Sequence, residues 1–210
     1  MRFLNPAVEA ELRAGRRLML NLGAGLRRLP GYFNVDLVEL PGVDILADLE
    51  EPLDLLPDDS VERIYTRHTL EHVQRLLPLL AEMHRVTHRD GLIEVIVPHF
   101  SNPYGYSDPT HQRFFGLYSF HYFARDEDQA RRRVPNFYIP QRFRVESVRI
   151  NLLKEGLLDR VIRAALHPIL NRGVAWLDWY ERRLCRLIPA DDLHWRLRVV
   201  KDAPVPLANP

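Results

Sequence analysis

Glycines, carboxylates and one histidine stand where four short apolar runs end in the first third of the chain. Gly23 and Gly25 follow residues 18–22, Asp36 closes residues 32–37, Asp48 closes residues 43–48, and His68 follows residues 61–66. Because ligands bind beyond the carboxyl ends of parallel strands, we expect these residues to lie at one sheet edge. A glycine pair lets the backbone approach a ligand closely, a carboxylate at Asp36 suits ribose hydroxyls, and Asp48 suits an adenine amine. The pattern predicts a site for a nucleoside-type ligand.

A second group of chemically capable side chains follows the apolar run at residues 92–97. His99, Asp108 and His111 could deprotonate an acceptor hydroxyl, and Arg113 could hold an anionic group. Three aromatic side chains could pack on a sugar or ring, namely Tyr104, Tyr106 and Phe115. An alternative reading, in which Phe115 belongs to the core, stays open. The length of this segment, which no regular helix pattern fills, favours a loop that forms part of a site.

One motif suggests a metal. His68, Glu71 and His72 fit the pattern H-x-x-E-H, which also occurs in zinc peptidases. Zinc would need both histidines on one helical face and a third protein ligand, but His68 falls where a strand gives way to a helix. We therefore expect no metal. The competing hypothesis, a metallohydrolase, predicts bound zinc and loss of activity with a chelator.

Strand and helix patterns alternate along the chain and predict an α/β sandwich with a mostly parallel sheet. Helices are expected at residues 6–15 and 69–88, with a kink or boundary at Pro78 and a glycine stop in "HRDG", and in two late stretches broken near Gly173. Two further strands are expected at residues 143–152 and 193–201, the last of them inserted antiparallel.

The connection between the first two of these strands is unusually short. Residues 23–31, "GAGLRRLPG", leave too little chain for a normal crossover helix, so this helix must be truncated to a turn or less. The segment also lacks the G-x-G-x-x-G spacing, and no helix begins there to face a pyrophosphate. These features disfavour NAD as a ligand and predict an open pocket.

An ordered series of motifs covers residues 18–98: "LNLGAG", "GYFNVDL", "DILADLEEPLDLLPDDSVERIYTRHTLEHV" and "EMHRVTHRDGLIEVIVP". The series resembles the class I S-adenosylmethionine-dependent methyltransferases, particularly a small bacterial type-11-like group. The resemblance implies a Rossmann-like fold and S-adenosylmethionine as cofactor. The cofactor-binding residues that it implies are Asn21, Gly23, Ala24, Gly25, Asp36, Leu37, Asp48, Leu49, Arg67 and His68. Asn21 departs from the pattern, since many relatives carry an acidic residue there.

The function implied by this resemblance is methyl transfer to an oxygen, or else a nitrogen, of a small-molecule, glycan or lipid-linked acceptor. The alternative is a non-catalytic methyltransferase-fold protein that serves as a scaffold. We expect one domain over residues 1–202, with an acceptor-side loop region at 99–142, a helical insertion at 153–190, and a loose tail at 203–210.

Composition limits the class of protein. The chain has 210 residues, of which 46% are hydrophobic and 27% charged, as in ordinary globular domains. A single cysteine, Cys185, and the absence of a leader pattern favour a reducing cytoplasm. No apolar stretch reaches the roughly 18 residues that a membrane-spanning helix needs. We expect a cytoplasmic protein.

Charge is unevenly distributed along the chain. Residues 36–62 contain ten acids and no Lys or Arg, whereas residues 131–200 contain 15 basic residues against seven acids. The late stretch at residues 157–188 combines an apolar face with several arginines and with Trp176 and Trp179. Such a stretch suits either the inner membrane surface or packing against the sheet or a second copy of the chain. We expect no nucleic-acid partner.

Overall fold

The computed structural model describes residues 1–201, which form one mixed sheet of eight strands with helices packed against it. The strands are β1 (Arg2–Phe3), β2 (Leu18–Leu22), β3 (Phe33–Asp36), β4 (Ile45–Leu46), β5 (Val61–Arg67), β6 (Thr87–Pro98), β7 (Arg142–Leu152) and β8 (Ala190–Val200). The helices are α1 (Pro6–Arg13), α2 (Leu76–Val86), α3 (Leu157–Leu170) and α4 (Val174–Arg183). Single 3-10 turns occur at Pro103–Tyr106, Ser119–Phe123 and Asp126–Asp128. The expected tail at 203–210 lies outside the described residues.

The strand order is β1-β4-β3-β2-β5-β6-β8-β7. The five strands from β2 to β6 are parallel to one another, while β1 pairs antiparallel with β4 and β8 runs antiparallel between β6 and β7. The predicted fold class, including the antiparallel last strand, is confirmed. Because chain direction is shared, the parallel strands bring their carboxyl ends to a single sheet edge, where the turns that carry Gly23, Asp36, Asp48 and His68 meet.

The centre of the sheet is apolar on both faces. Strand β2 is almost continuously buried because β3 and β5 flank it and helices cover the sheet. Helix α2 packs against β6, and α3 and α4 pack against β7. A single buried apolar cluster extends from Val8 in α1 to Val199 in β8, with Trp195 its largest fully buried side chain.

The predicted helix at residues 69–88 is wrong in its extent. Helix α2 begins at Leu76, because the carboxylate of Glu50 accepts hydrogen bonds from the backbone N–H groups of Gln74 and Arg75 and holds residues 69–75 in turns. Pro78 therefore lies in the first helical turn, where its missing N–H has no intrahelical partner to lose, and it marks the expected boundary rather than a kink.

The expected glycine stop in "HRDG" is also wrong, since these residues lie within β6. The strand starts at Thr87 and bulges at Asp90, whose φ is +62°. Gly91 is needed inside this bulge: a Cβ there would stand 2.4 Å from Cγ2 of Thr87 and 3.1 Å from the carbonyl oxygen of Glu62 on the neighbouring strand. A glycine near the end of a helical pattern thus marks a strand irregularity here.

The truncated first crossover is confirmed: residues 23–32 contain no helix. Side chains hold this segment instead. The amide nitrogen of Asn21 donates to the carbonyl oxygen of Arg27 over 2.9 Å, and the guanidinium of Arg28 donates to the carbonyl oxygens of Gly25 and Pro41. Hydrogen bonds from side chains to the backbone therefore replace the packing that a helix would supply.

The sequence-based prediction missed one strand and located one helix break correctly. The edge strand β1, which pairs antiparallel with β4, was not predicted, because two residues are too few to show a period. The break near Gly173 is confirmed, with Gly173 immediately before α4. None of the helices in residues 1–201 is long and apolar enough to cross a membrane.

Candidate functional site

A cavity of about 320 Å³ opens at the carboxyl edge of the parallel strands. Its lining comes from the turns after β2, β3, β4 and β5, as the strand order requires. The lining residues are Gly23, Gly25, Asp36, Leu37, Ala47, Asp48, Leu49, Glu50, His68, Thr69, His72 and Val73. The volume lies at the lower end of the range of small-molecule sites, roughly 300 to 1,000 Å³. The cavity can hold a small organic ligand beside several carboxylates.

The two glycines of the first turn serve different purposes. Both have left-handed backbone angles, with φ of +64° at Gly23 and +53° at Gly25. A Cβ on Gly23 would stand 2.2 Å from Oγ1 of Thr69, a residue whose hydroxyl is held by the carbonyl oxygens of Leu22 and Arg67. A Cβ on Gly25 would meet nothing within 4 Å. Gly23 is required by packing, whereas Gly25 leaves open space above the backbone at the cavity.

Asp36, at the end of β3, is the carboxylate best placed to bind ligand hydroxyls. Its Oδ2 accepts from the backbone N–H of Gly25 at 2.7 Å, and its Oδ1 accepts from the N–H of Val38 at 3.0 Å. These bonds fix the side chain and tie the glycine turn to β3. An ionised carboxylate has about four acceptor positions, so each oxygen retains capacity for a ligand hydroxyl.

The wall of the cavity formed by residues 48–50 is acidic, and hydrogen bonds from backbone N–H groups hold its carboxylates in place. Oδ1 of Asp48 accepts from the N–H of Glu50 at 2.9 Å, and Glu50 in turn caps the turn before α2. His68 has a φ of +50°, a strained conformation for a residue with a Cβ, and its N–H continues the sheet by donating to Ile96. Strain of this kind concentrates at functional sites. The ring of His68 lines the cavity at the end next to β6.

Three of the residues implied as cofactor ligands do not line the cavity. Asn21 is buried, and its amide nitrogen donates to Arg27 and to Oδ1 of Asn34, so it supports the turn from below. Ala24 is buried and its N–H donates to the carbonyl oxygen of Val35. Arg67 belongs to β5 and is outside the lining set.

Next to the cavity, the turn at residues 69–75 is joined to the loop at residues 108–113. The N–H of Gln112 donates to the carbonyl oxygen of Glu71 at 2.7 Å, and Nδ1 of His72 lies 2.8 Å from the Thr110 hydroxyl. The guanidinium of Arg113 donates to the carbonyl oxygens of Val73 and Gln74 at 2.6 and 2.7 Å. Arg113, expected to hold an anionic group, is therefore engaged with backbone, and its role is to fasten the acceptor-side loop to the cavity wall.

His111 and Asp108 lie together on this loop. Nδ1 of His111 lies 2.8 Å from the carbonyl oxygen of Gly105, and its Nε2 lies 3.8 Å from Oδ2 of Asp108. Hydrogen bonds from the Thr110 hydroxyl and backbone N–H hold the pKa of Asp108 below its ordinary value. The rings of His72 and His111 meet edge to face with centroids 4.8 Å apart. Two imidazoles and an ionised carboxylate thus meet at one border of the cavity.

His99 and Phe115 are parts of the core instead. His99 is 1% exposed, its Nδ1 lies 2.8 Å from the Ser101 hydroxyl, and its Nε2 lies 3.2 Å from a carboxylate oxygen of Glu181 in α4. Phe115 is buried and stacks on Phe120. Neither side chain is open to an acceptor, so the alternative core interpretation of Phe115 agrees with its environment.

Tyr104 and Tyr106 are exposed on the acceptor-side loop. The hydroxyl of Tyr104 donates to Glu155, which raises the pKa of Tyr104, and the Tyr106 hydroxyl donates to the carbonyl oxygen of Phe100. The ring of Tyr106 packs on exposed Phe114, with centroids 4.6 Å apart. These rings form an apolar surface on which a sugar or other ring could pack.

Sequence reasoning missed several residues of the site. Thr69, Glu50 and Val73 line the cavity although no motif singles them out. His72 and Glu71 carried a signal, the H-x-x-E-H pattern, but it was interpreted as part of a helix. Asp191 at the start of β8 lies outside the cavity lining, and burial raises its pKa.

Comparisons with known proteins agree with this geometry. Residues 33–95 match the family model described as Methyltransferase domain. A SAM-dependent methyltransferase from Archaeoglobus fulgidus is 20% identical, with a TM-score of 0.55 and coverage of 92% of this chain and 93% of that one. The YcgJ protein of Bacillus subtilis is 13% identical, with a TM-score of 0.53 and coverage of 94% and 99%. No curated protein sequence matches the chain.

Residues 33–95 thus carry the sequence pattern of a methyltransferase domain, and the chain has the fold of that class of enzyme. The matched segment includes the acidic wall of the cavity and the turn after β5. The predicted resemblance to the class I methyltransferases is confirmed.

Proposed function

We propose that the protein is an S-adenosylmethionine-dependent methyltransferase that acts on an oxygen of a small-molecule, glycan or lipid-linked acceptor. The observation that carries this proposal is the position of Asp36, which ends β3 and lines the cavity together with Gly23 and Gly25. The match of residues 33–95 to the methyltransferase domain supports S-adenosylmethionine as the cofactor.

The cavity residues suit this cofactor. Asp36 binds the ribose hydroxyls, Asp48 and Leu49 border the adenine, and the open backbone at Gly25 accommodates the methionine part. His68 and Thr69 close the end next to the acceptor. S-adenosylmethionine supplies a methyl group on a positively charged sulfur and leaves as neutral S-adenosylhomocysteine, while the acceptor oxygen loses a proton. The carboxylates around the cavity favour a cation, and the absence of a phosphate-binding helix costs a ligand without phosphates nothing.

His111 is the group that we propose takes the acceptor proton. Its Nδ1 faces the carbonyl oxygen of Gly105, which favours a proton on Nδ1 and leaves Nε2 as the basic atom. Asp108, 3.8 Å from Nε2, stabilises the imidazolium that forms. Tyr104 and Tyr106 supply the surface against which the acceptor packs. His99 is excluded from this step by its burial.

The late helices are proposed to contact an anionic membrane surface that presents a lipid-linked acceptor. In α3, Leu157, Leu158 and Val161 are 80%, 71% and 59% exposed. A groove beside them is lined by cationic side chains, Lys154, Arg160 and Arg163. Exposed apolar residues flanked by basic ones suit insertion among anionic lipid head groups.

Methyl transfer can be tested with S-adenosylmethionine labelled in its methyl group. Purified protein is incubated with two acceptor fractions, water-soluble sugars and organic-soluble lipid-linked glycans, and labelled product is measured together with S-adenosylhomocysteine. We expect transfer to one fraction and a loss of at least 100-fold in rate for His111→Asn, the range of a general base. Gln112→Ala on the same loop is the control. Binding of S-adenosylhomocysteine without transfer to either fraction would support the alternative, a non-catalytic binding protein.

A further inference from the structure

We propose that Glu71, His72 and His111 form a binding site for a divalent transition-metal ion. Their nitrogen and oxygen donors suit Zn²⁺, and the site lies at the border of the cavity next to the loop at residues 108–113. A carboxylate oxygen of Glu71 and one ring nitrogen of each histidine lie within 4.8 Å of one another. Two histidines and a glutamate are a known donor set for zinc with one position left open for another ligand. The site goes beyond the proposed methyl transfer but shares His111 with it, so a metal ion and the acceptor proton would compete for Nε2 of His111.

The environment of Glu71 is the strongest reason to expect a cation. The residue is 1% exposed, and neither of its carboxylate oxygens has a hydrogen-bond partner within residues 1–201. The nearest positively chargeable group is Nδ1 of His68, 3.4 Å from Oε1. A buried carboxylate without a hydrogen bond is costly, and a metal ion is one of the few ligands that relieve this cost. Its backbone is fixed, because its carbonyl oxygen accepts from Gln112.

The hydrogen bonds of the two histidines prepare them as ligands. Nδ1 of His111 faces a carbonyl oxygen, that of Gly105, and so carries the proton, which leaves Nε2 with a free lone pair. Nδ1 of His72 faces the Thr110 hydroxyl, which itself donates to Oδ1 of Asp108, so His72 donates from Nδ1 and also keeps Nε2 free. Histidines that bind metals commonly donate their other ring N–H to such acceptors.

Binding requires a small closure of these side chains. Two ligands of a tetrahedral zinc ion stand roughly 3.4 Å apart, given metal-ligand distances of about 2.0 to 2.2 Å. The present separations, up to 4.8 Å, must therefore shrink by up to about 1.4 Å. Rotation of the His72 and His111 rings, neither of which is fully buried, is the movement that would bring their nitrogens closer. An ion held by His111 leaves Asp108 as the remaining base at the cluster.

This proposal replaces the expectation, based on sequence alone, that the chain binds no metal. That expectation considered only His68 and His72 as a histidine pair, and it rejected the pair because His68 falls where a strand ends rather than on a helical face with His72; the structure has no helix at residues 69–75. The third ligand is His111, 39 residues after His72, on a loop that hydrogen bonds bring to the turn. His68 is not a member of the set.

Metal-stripped protein titrated with Co²⁺ and with Zn²⁺ tests the site. We expect one ion per chain, a visible Co²⁺ spectrum of a low-coordinate nitrogen and oxygen site, and displacement of Co²⁺ by Zn²⁺. Glu71→Gln and His111→Ala should each weaken binding at least tenfold. The matched control is His167→Asn, a histidine of α3 that pairs with Asn151 outside the cluster, and it should bind as the wild type does.

Thermal unfolding of the same samples distinguishes a metal-binding site from a buried carboxylate that binds no metal. Without metal, Glu71→Gln should unfold at the same or a higher temperature than the wild type, because the buried charge is gone. With Zn²⁺, the wild-type midpoint should rise and that of Glu71→Gln should not. Wild-type protein that binds no Co²⁺, or a Glu71→Gln variant that binds as tightly as the wild type, would overturn the proposal. Titration with S-adenosylhomocysteine reports on the cofactor site independently.

Discussion

The cavity at the strand edge, which we propose binds the cofactor, and the loop at residues 99–141, which we propose faces the acceptor, are built in different ways. The first is named the cofactor side and the second the acceptor side. On the cofactor side, each cavity residue stands in a short turn directly after a parallel strand, and its hydrogen bonds are to nearby backbone, as between Asp36 and Gly25. On the acceptor side, residues 99–141 contain only single 3-10 turns. Contacts distant in sequence hold them, such as His99 with Glu181 and Tyr118 with Asp178.

The two regions therefore depend on different parts of the chain. The cofactor side is determined by strand order and turn geometry, so a few residues suffice to build it. The acceptor side depends on the late helices and on loop packing, which can change without disturbing the strand turns. Charge is also uneven, because residues 36–62 contain ten acids and no Lys or Arg, whereas residues 131–200 contain 15 basic residues against seven acids. A change on one side should therefore leave the other side intact.

The largest effect is expected on the cofactor side, from Gly23→Ala. The new methyl group would stand 2.2 Å from Oγ1 of Thr69, and the backbone would have to keep a φ of +64°. Overpacking and a left-handed conformation together cost about 4 kcal/mol of unfolding free energy. Urea unfolding should register the loss.

Gly25→Ala is the matched control for that variant. It has a similar φ of +53° but open space around the added atom, so its cost should be only about 1 kcal/mol. Equal destabilisation by the two variants would contradict the assignment of packing to Gly23 and cavity access to Gly25.

On the acceptor side, Glu181→Ala should cost about 2 to 3 kcal/mol of stability. Its carboxylate accepts from the N–H of Leu117 at 2.6 Å and lies 3.2 Å from buried His99, so both groups lose their partner. Glu181→Gln keeps an acceptor for Leu117 and should lose less. Binding of S-adenosylhomocysteine by either folded variant should be unchanged, and a weaker affinity would show that the two sides are coupled.

Lowering the pH should reduce the unfolding free energy through His121, a buried histidine of the acceptor side. Burial against Trp195 lowers the pKa of His121 to about 4. Between pH 4 and about 6.5, the unfolded chain binds a proton that the folded protein does not, so the unfolding free energy falls as pH falls. From pH 7 to pH 5 this loss is about 1 to 2 kcal/mol. The partly buried His84 and His194, whose pKa values are also lowered by burial, act in the same direction.

His121→Gln isolates that contribution, because glutamine has the same charge at every pH. Its unfolding free energy should fall less than that of the wild type between pH 7 and pH 5. Asp191 opposes this trend as the pH falls, since burial raises its pKa in the folded protein and the folded state then binds its proton first. Parallel pH curves for His121→Gln and the wild type would refute a buried neutral histidine at this position.

The smallest effect is expected at the exposed apolar surface of α3, which we propose contacts a membrane. Leu158→Asp should reduce sedimentation with vesicles of phosphatidylglycerol by roughly tenfold, the effect of losing one buried leucine side chain. Leu187→Asp is the control, since Leu187 is 80% exposed outside α3. If the wild type does not bind vesicles but forms a dimer that Leu158→Asp disrupts, the surface binds a second copy instead.

The sequence predicted the cofactor side better than the acceptor side for a physical reason. Strand β2 and the carboxylate of Asp36 are marked by local patterns, a buried apolar run and an acid at its end. The predicted start of α2 was wrong because the carboxylate of Glu50, 24 residues before Gln74, accepts a hydrogen bond from the Gln74 N–H and keeps the residues before α2 in turns. The burial of His99 and Phe115 depends on α4 and on other parts of the loop, which no local pattern encodes. The polar cluster around His111 arises in the same way.

The central claim, that the cavity at the strand edge binds the cofactor through Asp36, is tested most directly by calorimetric titration with S-adenosylhomocysteine. The wild type should bind with micromolar affinity, about −8 kcal/mol. Asp36→Ala should weaken binding at least 100-fold, because charged hydrogen bonds contribute about 1.5 to 3 kcal/mol each. Glu39→Ala, which removes a nearby exposed acid paired with Arg2, should bind as the wild type does. Undiminished binding by Asp36→Ala, or no heat with the wild type, would contradict the account.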